Sequence, residues 1–325
     1  MDQLSTEARN RYWAEVNPQY KGGSPEENNK SIRRLLEAQR PRAAFASTQY
    51  MLDEIQPPLL VEMLLAMAKS DKEENEGWQL NDCAIRNAFK LLNSNSELTL
   101  GEKAALEYAY LEVLSPPYGE KNPQAILHLE RCIEELPELF VQAVAYAHKR
   151  KDNKEVPPGN REDLAKRGRQ LLEAIKRIPG QEEASKEEQY DKLSRWVASV
   201  RESCASLNLL NVADEHLGNL FSKALPDKNG VWPCETVRDV MEDLKSEDVS
   251  VGAYAGLYNA RGAHVCAKDG SEERELADKY RSWAEALQFT HPFVCTTVLM
   301  PLVHTYEREA EQNDTKARIK NRLAQ

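Results

Sequence analysis

The stretch NPQAILHLERCIEELPELFVQAVAYAHKR, residues 122–150, reads as two helices and the turn that joins them. Asn122-Pro123 opens the first, with a polar cap followed by a residue whose fixed φ and missing N–H suit the first helical turn. The apolar positions then recur at helical spacing up to Glu135. Pro137 restarts the pattern one residue later, and Phe140, Val141 and Val144 give the second helix its stripe.

The same grammar extends in both directions. Ser24-Pro25-Glu26-Glu27 is a helix start, with Ser as cap, Pro behind it and carboxylates near the positive end of the helix dipole. Pro57-Pro58 precedes LLVEMLLAMA (59–68), apolar nearly all round and therefore predicted at the centre of a core. Ser115-Pro116-Pro117 closes a helix begun near Glu102. Asn160 caps one predicted over 161–178, which Pro179-Gly180 ends. Segments of strict apolar and polar alternation are missing. The expectation is an all-α chain of about fifteen helices, arranged as an α-solenoid-like array of antiparallel pairs resembling degenerate HEAT or TPR repeats. The fixed Trp, Gly, Tyr, Ala and Pro spacing of a tetratricopeptide is not met. The polar, Pro-Pro-Gly-bearing segment 149–161 is read as a linker, dividing the chain into regions 1–155 and 156–325, with one continuous array as the alternative.

Composition agrees with amphipathic helices. The 325 residues are 41% hydrophobic and 30% charged, and mean hydropathy is -0.66. A formal net charge of -10 gives no general pull toward phosphate backbones or anionic lipid. No window has the length of a membrane span. MDQLSTEARNRYW at the start has no apolar signal core, so the expected compartment is the cytoplasm. The six cysteines stand singly and are read as reduced, mostly buried thiols.

Few motifs carry chemistry. His264, Cys266, His291 and Cys295 are zinc-ligand types, spaced H-x-C and H-x3-C, and define the enzyme alternative, a zinc-dependent hydrolase. Pro292 lies inside the second pair, and neither spacing is that of a finger or ribbon. Trp232-Pro233-Cys234 lacks the second cysteine and the H-x-E of a zinc deaminase. Phosphate loops and the G-x-S-x-G nucleophile elbow are missing. Gly252, Gly256, Gly262 and Gly270 follow no strand and read as loop glycines. Carboxylate pairs such as Glu182-Glu183 and Glu187-Glu188 read as solvated faces. Arg33-Arg34 with Arg40 and Arg42, Lys149-Arg150-Lys151, Arg161 with Lys166, Arg167 and Arg169, and the tail Lys316 to Arg322 support a second alternative, a nucleic-acid-associated helical-repeat protein, although each cluster has acidic neighbours.

The strongest binding signal is GAYAGLYNARGAH, residues 252–264. Tyr254, Tyr258, Asn259, Arg261 and His264 mix aromatic surface with hydrogen-bonding groups, the residue types that tend to carry interface energy. They are the predicted partner-binding residues, with packing between helices as the competing role for the rings. The leading reading is a non-enzymatic protein-interaction, scaffold or sensor module with a protein partner and no cofactor.

RLLEAQRPRAAFAS (34–47), PELFVQAVAYAHKR (137–150), GVWPCETVRDVMEDL (230–244) and GLYNARGAHVCAKDGSEERELADKYRSWAEALQFTHP (256–292) together resemble the helical region toward the C-terminus of large bacterial multidomain proteins. The resemblance covers roughly residues 8–309. It implies the recognition or scaffolding part of a bacterial signalling or defence-type assembly, and it transfers no catalytic residue.

Overall fold

The computed structural model describes residues 25–48, 52–69, 82–94, 98–115, 126–148, 161–262 and 269–323. All regular structure among them is helical. The chain forms two compact units, Met1–Leu129 and Glu130–Gln325.

In the first unit the helices are α1 (Pro25–Glu37), α2 (Pro41–Thr48), α3 (Pro57–Lys69), α4 (Asp82–Asn93), α5 (Leu100–Ala109) and α6 (Leu111–Leu114). The start of α7 (Leu127–Glu135) also belongs to it. Helix α3 is central as its composition predicts, packing against α1, α2, α4 and α5 with Leu59, Leu60, Met63, Leu64 and Met67 buried. Thr99 and Glu102 form a reciprocal capping box at the head of α5. Buried Tyr110 donates its hydroxyl to the Leu64 carbonyl at 2.7 Å, so its polar end is satisfied inside the core. Fully buried Glu107 is held in the same way: its carboxylate accepts from the Leu129 N–H at 2.7 Å and meets His128 Nδ1 at 2.8 Å.

The second unit holds the rest of α7, then α8 (Pro137–Ala147), α9 (Arg161–Ala174), α10 (Lys186–Ser206), α11 (Leu210–Phe221), α12 (Glu235–Leu244), α13 (Glu247–Asn259) and α14 (Ser271–Leu287). A short turn Pro292–Val294 and a π turn Cys295–Leu299 lead into α15 (Met300–Leu323). The π turn has a local cause. Pro301 has no N–H and its ring crowds the preceding turn, and a wider turn just upstream, where the Met300 N–H reaches the Cys295 carbonyl, absorbs that constraint. Pro137 does sit in the first turn of α8.

Helix α9 stops at Ala174, four residues short of the sequence expectation, because buried carboxylates take its backbone. Glu130 accepts from the N–H groups of Lys176 at 2.6 Å and Arg177 at 3.1 Å, which draws them away from the helical ladder. Glu134, one turn along α7, accepts from Gly180 N–H at 3.0 Å and Lys192 Nζ at 2.8 Å, and pairs with Arg177 Nε. Gly180 has φ of +80°, the left-handed region that a side chain resists. Glu182 and Glu183, read in sequence as solvated, complete this network on Arg177 and Lys192.

Among the described helices the most extensive contact is that of α11 with α13. A Cβ on Gly252 would lie 1.9 Å from the Glu215 carbonyl oxygen, and one on Gly218 would lie 2.0 Å from that of Val249. Gly252 and Gly256 are therefore packing residues on the face of a helix, not loop residues as the sequence suggests. Only a bare Cα lets these two backbones approach so far. Replacing Gly252 with Ala is expected to cost about 3 kcal/mol or more. Gly101 of α5 has open space around its Cα, and Gly101→Ala should add roughly 0.5 kcal/mol. Urea unfolding of both variants checks the contrast, and an unchanged midpoint for Gly252→Ala would refute the close contact.

Candidate functional site

The segment singled out in the sequence lies at the C-terminal end of α13. Its rings face α15 and begin a continuous path of aromatic contacts that reaches α14 through Tyr306. Tyr254 stacks on Tyr258 at 6.2 Å between centroids, Tyr258 meets Tyr306 at 5.8 Å, and Tyr306 stacks on Tyr280 at 5.7 Å. Tyr280 meets Trp283 edge-on at 5.4 Å, and Trp283 lies 6.3 Å from Trp232. Such spacings are those of mutually favourable aromatic pairs. The hydroxyls are anchored as well: Tyr254 to Thr305 at 2.9 Å and Tyr258 to Glu309 at 2.6 Å. The bond to Glu309, with partial burial behind it, raises the Tyr258 hydroxyl above the usual tyrosine range.

Arg261 closes the cluster. Its guanidinium lies 5.9 Å from the Tyr306 ring centre and donates to Glu273 at 2.8 Å and Glu272 at 3.2 Å. Glu273 is 1% exposed. Burial alone would raise its carboxyl, but hydrogen bonds from Arg261, a backbone N–H and Asn313 carry it below the ordinary value. The structure thus brings Tyr254, Tyr258 and Arg261 together around Tyr306, with Tyr258 37% exposed and Asn259 beside it on the surface. His264 lies outside the described residues, as does Cys266.

The remaining zinc-type residues turn to different partners. His291 Nε2 meets Asp239 of α12 at 2.8 Å, whereas buried Cys295 points its thiol at the Ala284 carbonyl of α14. Among the described residues no three His, Cys, Asp or Glu side chains gather as a metal site. His291 instead borders an open cleft of about 480 Å³ with Lys186, Tyr190, Asp191, Asp239, Glu242 and Asp243. Lys186 Nζ bridges Asp239 at 3.0 Å and Glu235 at 3.2 Å, and Tyr190 donates to Asp243. Burial would raise Asp239, but hydrogen bonds from His291 and Lys186 hold it low. This acidic cleft was not identified in the sequence, although Glu235, Asp239, Glu242 and Asp243 share helical spacing on α12.

No protein-family model matches the chain, and no curated protein or solved structure matches it either.

The Arg261–Glu273 pair makes the cluster testable. Replacing Arg261 with Gln strands a buried carboxylate, and about 3 kcal/mol of stability is expected to be lost at pH 7. A group with a depressed folded pKa stabilises above its unfolded value and loses that contribution as pH falls through the folded one. Without Arg261 burial raises the Glu273 carboxyl, so the Arg261→Gln deficit should shrink as pH falls from neutral through the carboxylate range, and Arg261→Gln/Glu273→Gln should lose less than Arg261→Gln alone. Urea titrations across pH decide it; a deficit constant with pH would contradict the pairing.

Proposed function

We propose that the chain is a non-enzymatic protein-interaction module, a solenoid-like array of helix pairs whose α13–α15 end presents a preformed aromatic anchor to a protein partner. The carrying observation is Tyr258. Its ring is fixed between Tyr254 and Tyr306, its hydroxyl is fixed on Glu309, and more than a third of it remains exposed. A rigid, amphipathic ring binds with little loss of side-chain freedom, which is what interface anchors require. Exposed Asn259 adds a donor and an acceptor next to it. The pairing of α8 with α9, α11 with α13 and α14 with α15 supports the array reading. No helix among the described residues is long and apolar enough to cross a membrane. Consistent with the resemblance seen in its sequence, the array would act as the recognition part of a bacterial signalling or defence-type assembly in the cytoplasm.

The test is capture from native-host lysate on the immobilised chain, with and without nuclease. Tyr258→Ala/Asn259→Ala is the right comparison, since Arg261 is committed to Glu273. A protein retained after nuclease treatment and lost with the double variant is expected. Retention that vanishes with nuclease would replace this reading with the nucleic-acid alternative, and retention untouched by the variant would remove Tyr258 from the interface.

A further inference from the structure

A cleft of about 370 Å³ opens between the end of α8 and the start of α9 in the second unit. That volume suits a small organic molecule. Ala145, Leu164 and Ala165 make an apolar floor, and His148, Arg161 and Arg169 supply polar edges. Arg161 and Arg169 are exposed. Among the described residues Glu162 is the one acidic side chain in the lining.

Beneath the cleft His148 Nε2 meets His216 Nε2 of α11 at 2.8 Å. One ring must donate and the other accept, so both cannot be cations at once. Burial, helped by His148 and Lys223, pushes His216 down to about 4. Burial and then Arg169 lower His148. Lys223 is spent on the carbonyls of Glu173 and Ile175. One uncharged imidazole, that of His148, therefore lines the cleft and is backed by that of His216; among the described residues the field there is set by Arg161 and Arg169, with Lys223 behind, and opposed by Glu162. This field disfavours a metal cation, for which two histidines would in any case be an incomplete ligand set. It favours an anion.

We propose that this cleft binds a small organic anion, with a phosphate or carboxylate head between Arg169 and His148 and an apolar body on Ala145, Leu164 and Ala165. Arg161 lies eight residues from Arg169 on the same helix, about 12 Å along its axis, and so marks the far end of the ligand. The head's charge favours protonation of His148, which then donates to neutral His216. Binding takes up a proton from solvent and tightens as pH falls from 7.5 toward 6.

The experiment is an NMR titration of the full chain, histidine-labelled, with phenyl phosphate, benzoate and inorganic phosphate as separate probes. Expected are saturable shifts of the His148 and His216 ring signals with phenyl phosphate or benzoate, and an apparent Kd several-fold tighter at pH 6 than at pH 7.5. Arg169→Gln, a surface change that leaves the fold intact, should weaken binding about tenfold. No saturable shift with any probe overturns the proposal, as does an Arg169→Gln affinity equal to wild type. Inorganic phosphate binding as tightly as phenyl phosphate would also overturn it, since the apolar floor would then contribute nothing.

Discussion

The second unit depends on how closely α11 and α13 approach. At Gly218 on one helix and Gly252 on the other, backbone touches backbone, and Gly256 takes the Ser222 side chain against its Cα; no other helix pair among the described residues makes so extensive a contact. Packing at that distance gains dispersion along the whole contact and tolerates no added methyl. It also fixes what lies around it. Asp214 of α11, 2% exposed, takes Arg201 of α10 at 2.9 Å and the cap hydroxyl of Ser246 at 2.7 Å, so a single carboxylate joins three helices at one end of the contact. At the other end the small residues of α13 leave Tyr254 and Tyr258 on the side that faces α15. The aromatic path exists because one face of α13 is glycine and the next is tyrosine.

Buried carboxylates do a second kind of work. Glu107, Glu130 and Glu134 all accept backbone N–H groups that no helix satisfies. Each such group would carry a desolvation cost of about 1–3 kcal/mol if left unpaired. Burial raises the carboxyls of Glu107 and Glu130, while the added cations Lys192 and Arg177 hold Glu134 low against its own burial. The difference between neighbours on one helix comes from who the partners are: amides around Glu130, amides and cations around Glu134.

This is also where the sequence was least legible. Helix starts were readable because a cap or a proline acts within one turn, and Pro25 and Pro137 open helices as their local chemistry predicts. The stop of α9 was not, because Glu130, some 46 residues earlier in the chain, takes the Lys176 amide. The glycines of 252–256 were misread for the same reason. A glycine that permits a turn and one that permits close packing look alike until the partner helix is known. Tyr254, Tyr258 and Arg261 are legible by residue type, and the structure assembles them, but Tyr280, Trp283 and Tyr306 come from helices whose proximity no local pattern encodes.

Net charge is a poor guide to any one place on this chain. Across 325 residues the balance is -10, yet screening confines each exposed charge to about 8 Å. What a ligand meets is decided by which charges are already engaged. Glu130, Glu134, Glu182 and Glu183 surround the far end of α9 and are spent on Arg177, Lys192 and the backbone. At the near end, among the described residues, Arg161 and Arg169 share the lining of their cleft with one carboxylate, Glu162. On α12 the sign reverses, with Asp239, Glu242 and Asp243 facing Lys186 and His291. The carboxylates of this acidic chain are thus concentrated where backbone amides and neighbouring cations engage them, on α12 as well as beside α9.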